Sequence, residues 1–242
     1  MTKYFPPKVF VTPGNLTRLF TVVITALAIP TLQAASEPQP FLQEFQLSSS
    51  GIPIRINAER KLRQLDDNRW QMSVEAKNLL GRVREVTLFS WSECTPQTTH
   101  YSYLRQGLGQ KKEATLTLDR SRQRANSKNS NGTTRRYPID DHTTDKLSQT
   151  LALQCMLQRG DQTLSIDVAD ERGRETLRYH IHGEENLTTP AGLFRTVKIS
   201  RIREKTHGRQ TWLWFAPDYD FALVKLVQEE DNQRHEMVIR SL

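Results

Sequence analysis

Two adjacent carboxylates, Glu184 and Glu185, stand in GEENLTTPAGLF (residues 183–194), just ahead of a Pro and Gly corner. Paired acids suggest general acid–base work, as in glycoside hydrolysis, where two carboxyls flank one bond. Neighbours on an extended segment point to opposite faces, so this pair suits a turn with one outward acid better than a catalytic dyad. His180 and His182 would share a strand face, as a metal pair needs, but only Glu184 offers a third donor and nothing fixes it. Asp145 and Ser148 lie three apart at the start of a helical pattern, where capping suits them better than nucleophilic catalysis. The chain has no G-x-S-x-G elbow, phosphate loop or dinucleotide fingerprint. No catalytic, cofactor-binding or metal-ligating residue is assigned on these grounds, and no cofactor is expected.

Whatever these side chains do depends on compartment. Lys3, Lys8 and Arg18 precede a nearly unbroken apolar run from Leu19 to Leu32, with no acid before it. The run is shorter than a bilayer span and is interrupted by Pro30, so it predicts a Sec-type signal peptide over 1–34, cleaved between Ala34 and Ala35. The mature chain, 35–242, is then a single periplasmic domain. Loss of the leader lowers the formal charge from +7 to +4, which removes the main support for a nucleic-acid partner. An oxidising compartment allows a Cys94–Cys155 disulfide, the alternative being two unrelated buried thiols.

The elements that must position these groups are mostly strands. Ile52, Ile54, Ile56, Ala58 and Leu62 alternate, and after Asp66-Asp67-Asn68 so do Trp70, Met72, Val74 and Ala76, which reads as a hairpin. Further strands are expected at 83–91, 99–105, 112–118 and 163–170, with turns at Leu80-Gly81, Gly107-Leu108-Gly109 and Glu171-Arg172-Gly173. The pattern continues through the C-terminal third. One segment departs from it: Leu147, Leu151 and Cys155 fall at i, i+4 and i+8, predicting a helix over about 143–159. Thr143 or Thr144 would cap this helix, with Asp145 in the first turn and Gly160 at the exit. Residues 120–136 carry six basic side chains and an Asn131-Gly132 turn signal, and predict an exposed hairpin with Arg120, Arg122 and Arg124 on one face. That face is either a solvated edge or a contact for an anionic lipid or acidic partner.

GIPI (51–54), DKLS (145–148), VADERG (168–173), GEE followed by TPAGLF (183–194) and WLWFAPDY (212–219) resemble, in order and spacing, an uncharacterised exported proteobacterial family, domain of unknown function 3108. The likeness spans nearly the whole mature chain. It implies a periplasmic protein with a curved β-sheet and implies no activity; the two cysteines are not part of its pattern.

Together these readings give a mainly β fold: a large curved antiparallel sheet, open barrel or half-barrel, with the one helix packed on it. Trp212 and Trp214 alternate with Leu213 and Phe215, so this strand is apolar on both sides. If one side meets the core, the other is free to line a concave cavity. The expected function is a monomeric periplasmic binding or scaffold protein holding a lipid, a glycan or an apolar segment of an envelope protein. The alternative is an envelope hydrolase that assembles Asp145, Glu184, Glu185 or Asp218 in a cleft.

Overall fold

The computed structural model describes Met1 and residues 37–242 apart from 51, 80, 108 and 204–207. The leader with its Ala34–Ala35 junction, and the turn residues Leu80 and Leu108, lie outside the described residues. The folded unit is built on one sheet. Its strands are β1 (Phe41–Ser49), β2 (Ile52–Asp66), β3 (Arg69–Asn78), β4 (Gly81–Ser92), β5 (Thr95–Gly107), β6 (Gln110–Asp119), β7 (Arg124–Asn129), β8 (Thr134–Pro138), β9 (Thr144–Asp145), β10 (Leu164–Ala169), β11 (Arg174–Thr189), β12 (Gly192–Arg201), β13 (Gln210–Ala216), β14 (Ala222–Glu230) and β15 (Gln233–Ser241). A helix, α1 (Gln149–Gln158), separates β9 from β10, and a 3-10 turn, Pro217–Tyr219, follows β13.

The strand order is β8-β7-β6-β5-β4-β3-β2-β1-β15-β14-β13-β12-β11-β10-β9. Two meanders, β1 to β8 and β9 to β15, therefore join where β1 pairs with β15. All ladders are antiparallel except β9 on β10, and the sheet is open, with β8 and β9 as its edges. Alternation in the sequence sets the faces: Leu62, Met72, Thr87 and Tyr101, or Gln64, Trp70 and Phe89, follow one another across the ladders on one side.

That inner side curls around α1. Leu147, Leu151 and Cys155 pack with Leu62, Trp70, Met72, Phe89 and Leu116 of the first meander. Ala152, Leu153 and Leu157 pack with Leu164, Ile199, Leu213, Phe215 and Leu223 of the second. A helix apolar on two sides is stable only when enclosed, and the curvature of the sheet encloses it. Cys94, in the β4–β5 turn, and Cys155 are joined as a disulfide with 5.3 Å between Cα atoms, which fixes the helix to that turn.

Three expectations need correction. The helix starts at Gln149 rather than near 143, because Thr144 and Asp145 pair with Val168 and Ala169 as an extended strand. The Asp145 carboxylate then turns the chain by accepting the N–H groups of Leu147 (2.7 Å) and Ser148 (3.1 Å). Arg120 is not part of an exposed basic face: its guanidinium donates to the carbonyls of Thr143 (2.7 Å) and Asp140 (3.0 Å), pinning the segment that leads into β9. Glu184 and Glu185 are not at the turn, since β11 runs on to Thr189 and the chain reverses at Pro190-Ala191.

Candidate functional site

The acids that a hydrolase would need do not converge. Asp145 is fully buried, and its Oδ2 accepts the hydroxyls of Thr87, Thr98 and Ser148, each at 2.6 Å. Thr144 Oγ1 lies 2.8 Å from Ser148 Oγ and closes this network. With its two backbone donors, Leu147 and Ser148, Asp145 is satisfied on both oxygens and holds the turn that leads into the helix. Glu184 and Asp218 meet elsewhere, on the exposed guanidinium of Arg195, at 3.0 and 2.6 Å. Arg195 holds the Asp218 carboxyl below its usual range. The His180 and His182 rings sit edge to face, 4.7 Å apart, and His182 Nε2 is 2.8 Å from Ser200 Oγ. No group of three metal-binding side chains occurs among the described residues.

Two charged side chains on the inner face escaped the sequence reading, although their register marks them. Arg60 lies between Ala58 and Leu62 and is 2% exposed. Its guanidinium donates to Gln43 Oε1 (2.7 Å) and Thr150 Oγ1 (3.1 Å), and stacks on Phe41, while burial lowers its pKa to about 9. Glu85 follows the same rule, paired with Val74 and Tyr103. Tyr101 Oη donates to it at 2.8 Å, and Lys146, ion-paired with Glu171 at 3.3 Å, lies over the rings of Tyr101 and Tyr103. Burial pushes the Glu85 carboxyl up, against the opposing pull of Lys146 and the Tyr101 hydroxyl. A charged residue in phase with core positions was the available signal in both cases.

The outer side of β12 to β15 presents a different surface. Leu213 and Phe215 enter the cluster beneath the helix, so Trp212 and Trp214 face away from the helix. With Val227, Lys198, Lys225, Glu229 and Arg234 they line an open depression of about 330 Å³. Trp214 is nearly covered: Lys198 and Lys225 each lie 5.2 Å from its ring, and its indole N–H donates to Glu185 Oε1 at 2.5 Å. Trp212 is half-buried and forms the accessible floor. The indoles thus line an open depression on the face of β13 turned away from the helix, Trp214 within a third buried cluster with Phe45, Phe194 and Val227 and Trp212 packed against it. The cation–π contacts fix the two ammonium groups around the ring, where sequence spacing gave no hint of them.

An open, curved, β-barrel-like sheet with a helix in its curve is the class these features define. Residues 44–240 match the family model described as "Protein of unknown function (DUF3108)", and the chain belongs to that family. No curated protein matches the sequence. Among solved structures, a β-barrel-like protein of domain of unknown function DUF1849 from Brucella abortus is similar in fold, with 7% identity, a TM-score of 0.54, and coverage of 83% of this chain and 95% of that one. A candidate lipoprotein from Parabacteroides distasonis aligns with 11% identity and a TM-score of 0.32 over 83% of this chain and 93% of that one.

Proposed function

We propose that the protein is an exported, periplasmic binding module of the cell envelope, processed between Ala34 and Ala35, with the depression over Trp212 and Trp214 as its ligand surface. The observation that carries this reading is the half-exposed Trp212 indole, set on the face of β13 turned away from the helix and edged by Lys198, Lys225, Glu229 and Arg234. An indole floor supplies a flat apolar platform, and the charged rim supplies donors and acceptors around it. This combination suits the ring of a glycan better than a long acyl chain, whose affinity grows by burying successive methylenes in an enclosed channel.

Tryptophan emission tests it. Trp70 and Trp91 lie in the core and give a constant background. Soluble envelope oligosaccharides should give a saturable change in emission, and Trp212→Ala should abolish it. A response only to detergent monomers would replace the glycan with a lipid, and no response to either class would remove the binding reading.

A further inference from the structure

The free edge of the sheet at β8 combines two features that do not belong to the Trp212 surface. The first is unpaired main chain. Asn129 N–H donates to the Thr133 carbonyl and Ile139 N–H to the Gln123 carbonyl, each at 3.1 Å. With the register Arg124↔Pro138 and Lys128↔Thr134, these bonds assign Arg135 and Tyr137 as the residues that exchange hydrogen bonds with β7. The N–H and C=O groups of Thr134 and Arg136 therefore point away from the sheet. Pro138, which lacks an N–H, ends the run of free donors.

The second feature is charge on both faces of that edge. Arg135 is opposite the inward Ser127, and Arg136 is opposite the outward Asn126, which shares its face with Arg124 and Lys128. All four cations are exposed, and none has an acid at ion-pair distance among the described residues. Arg195, Arg201, Arg209 and Arg234, by contrast, are paired.

We propose that β8 is a docking edge for an extended acidic segment of a partner protein, which adds as a sixteenth strand. An added strand alternates its side chains between the two faces, so its carboxylates would meet Arg135 on one side and Arg136, Arg124 and Lys128 on the other. A flat anionic membrane would engage cations on one face only. A second copy of this chain is disfavoured as the occupant, because pairing two β8 edges sets arginine against arginine.

The experiment uses the mature protein and a labelled peptide, Thr-Glu-Glu-Val-Glu-Glu-Thr, whose adjacent glutamates fall on both faces when extended. Anisotropy should report binding that weakens with salt, and amide exchange should show new protection at Thr134 and Arg136. Arg135→Glu with Arg136→Glu should weaken binding at least tenfold. Arg136→Pro, which removes an outward N–H not used by the fold, should weaken it with circular dichroism unchanged. Unaltered exchange at Thr134 and Arg136 with peptide bound would overturn the proposal. Binding to anionic phosphatidylglycerol vesicles that survives Arg135→Glu, with no peptide binding, would also overturn it, in favour of a membrane contact.

Discussion

The Asp145 carboxylate and the Thr98 hydroxyl, 47 residues apart in sequence, meet at 2.6 Å in a site with no exposed surface. Through this contact the short strand β9 is attached to β5, and the entry to α1 is oriented toward the first meander. Asp145→Ala would leave the hydroxyls of Thr87, Thr98 and Ser148 and two backbone N–H groups short of an acceptor. Hydrogen bonds to a charged group contribute roughly 1.5–3 kcal/mol each and are not additive, so a loss of about 3–5 kcal/mol is expected. Urea unfolding measures it; a loss below about 1 kcal/mol would show that the network is dispensable.

The Cys94–Cys155 bond, with a sequence separation of 61, should stabilise the fold by about 4 kcal/mol through restriction of the unfolded chain. Reduction should lower the urea midpoint by the corresponding amount, and Cys94→Ala/Cys155→Ala should behave like the reduced protein. Two titratable thiols in denatured, non-reduced material would contradict the pairing.

Glu85 makes stability depend on pH. Burial raises its pKa in the folded protein above that in the unfolded chain, so the folded state binds the proton more tightly. Its favourable contribution is complete below the ordinary glutamate range and is lost as pH rises through the folded value. Glu85→Gln keeps an acceptor for Tyr101 and does not titrate. Its melting temperature should therefore decline less than that of the wild type between about pH 4 and pH 8, and parallel curves would rule this out.

Gly192 has φ of +126°, and the preceding turn is closed by Thr189, whose Oγ1 accepts the Ala191 N–H and donates to the Gly192 carbonyl. Gly192→Val should cost about 1–3 kcal/mol, because a β-branched residue is strained at that φ. Ala191→Val is the comparator. Equal melting temperatures for the two variants would remove strain as the cause.

Most strands were legible because their inward residues alternate with polar outward ones, as in Ala58 to Leu62 and Trp70 to Ala76. β11 was harder, since Gly183 to Asn186 is polar on both sides and, with Thr188 and Thr189 after Leu187, resembles a loop in composition; only pairing with β12 shows that it continues. Thr143 to Ser148 read as a helix start because the same polar residues cap helices and fill buried hydroxyl networks. Arg120 read as solvated because the carbonyls it binds belong to a separate segment, Asp140 to Thr143. Of the candidate site, the Trp212 and Trp214 alternation was visible, whereas Lys198, Lys225 and Glu185 reach the indoles only through strand pairing.

The pairing of β1 with β15 sets the order in which the molecule can be assembled. Apart from β9 on β10, each meander grows by hairpins between strands adjacent in sequence, whereas the β1–β15 ladder joins positions as distant as Glu44 and Ser241, 197 residues apart. Contacts of such separation carry the larger loop-closure entropy and form slowly. Helix α1 packs on both meanders, and its disulfide ties it to the β4–β5 turn. It can therefore act as a folding template, holding the two half-sheets at the curvature that brings β1 and β15 within reach.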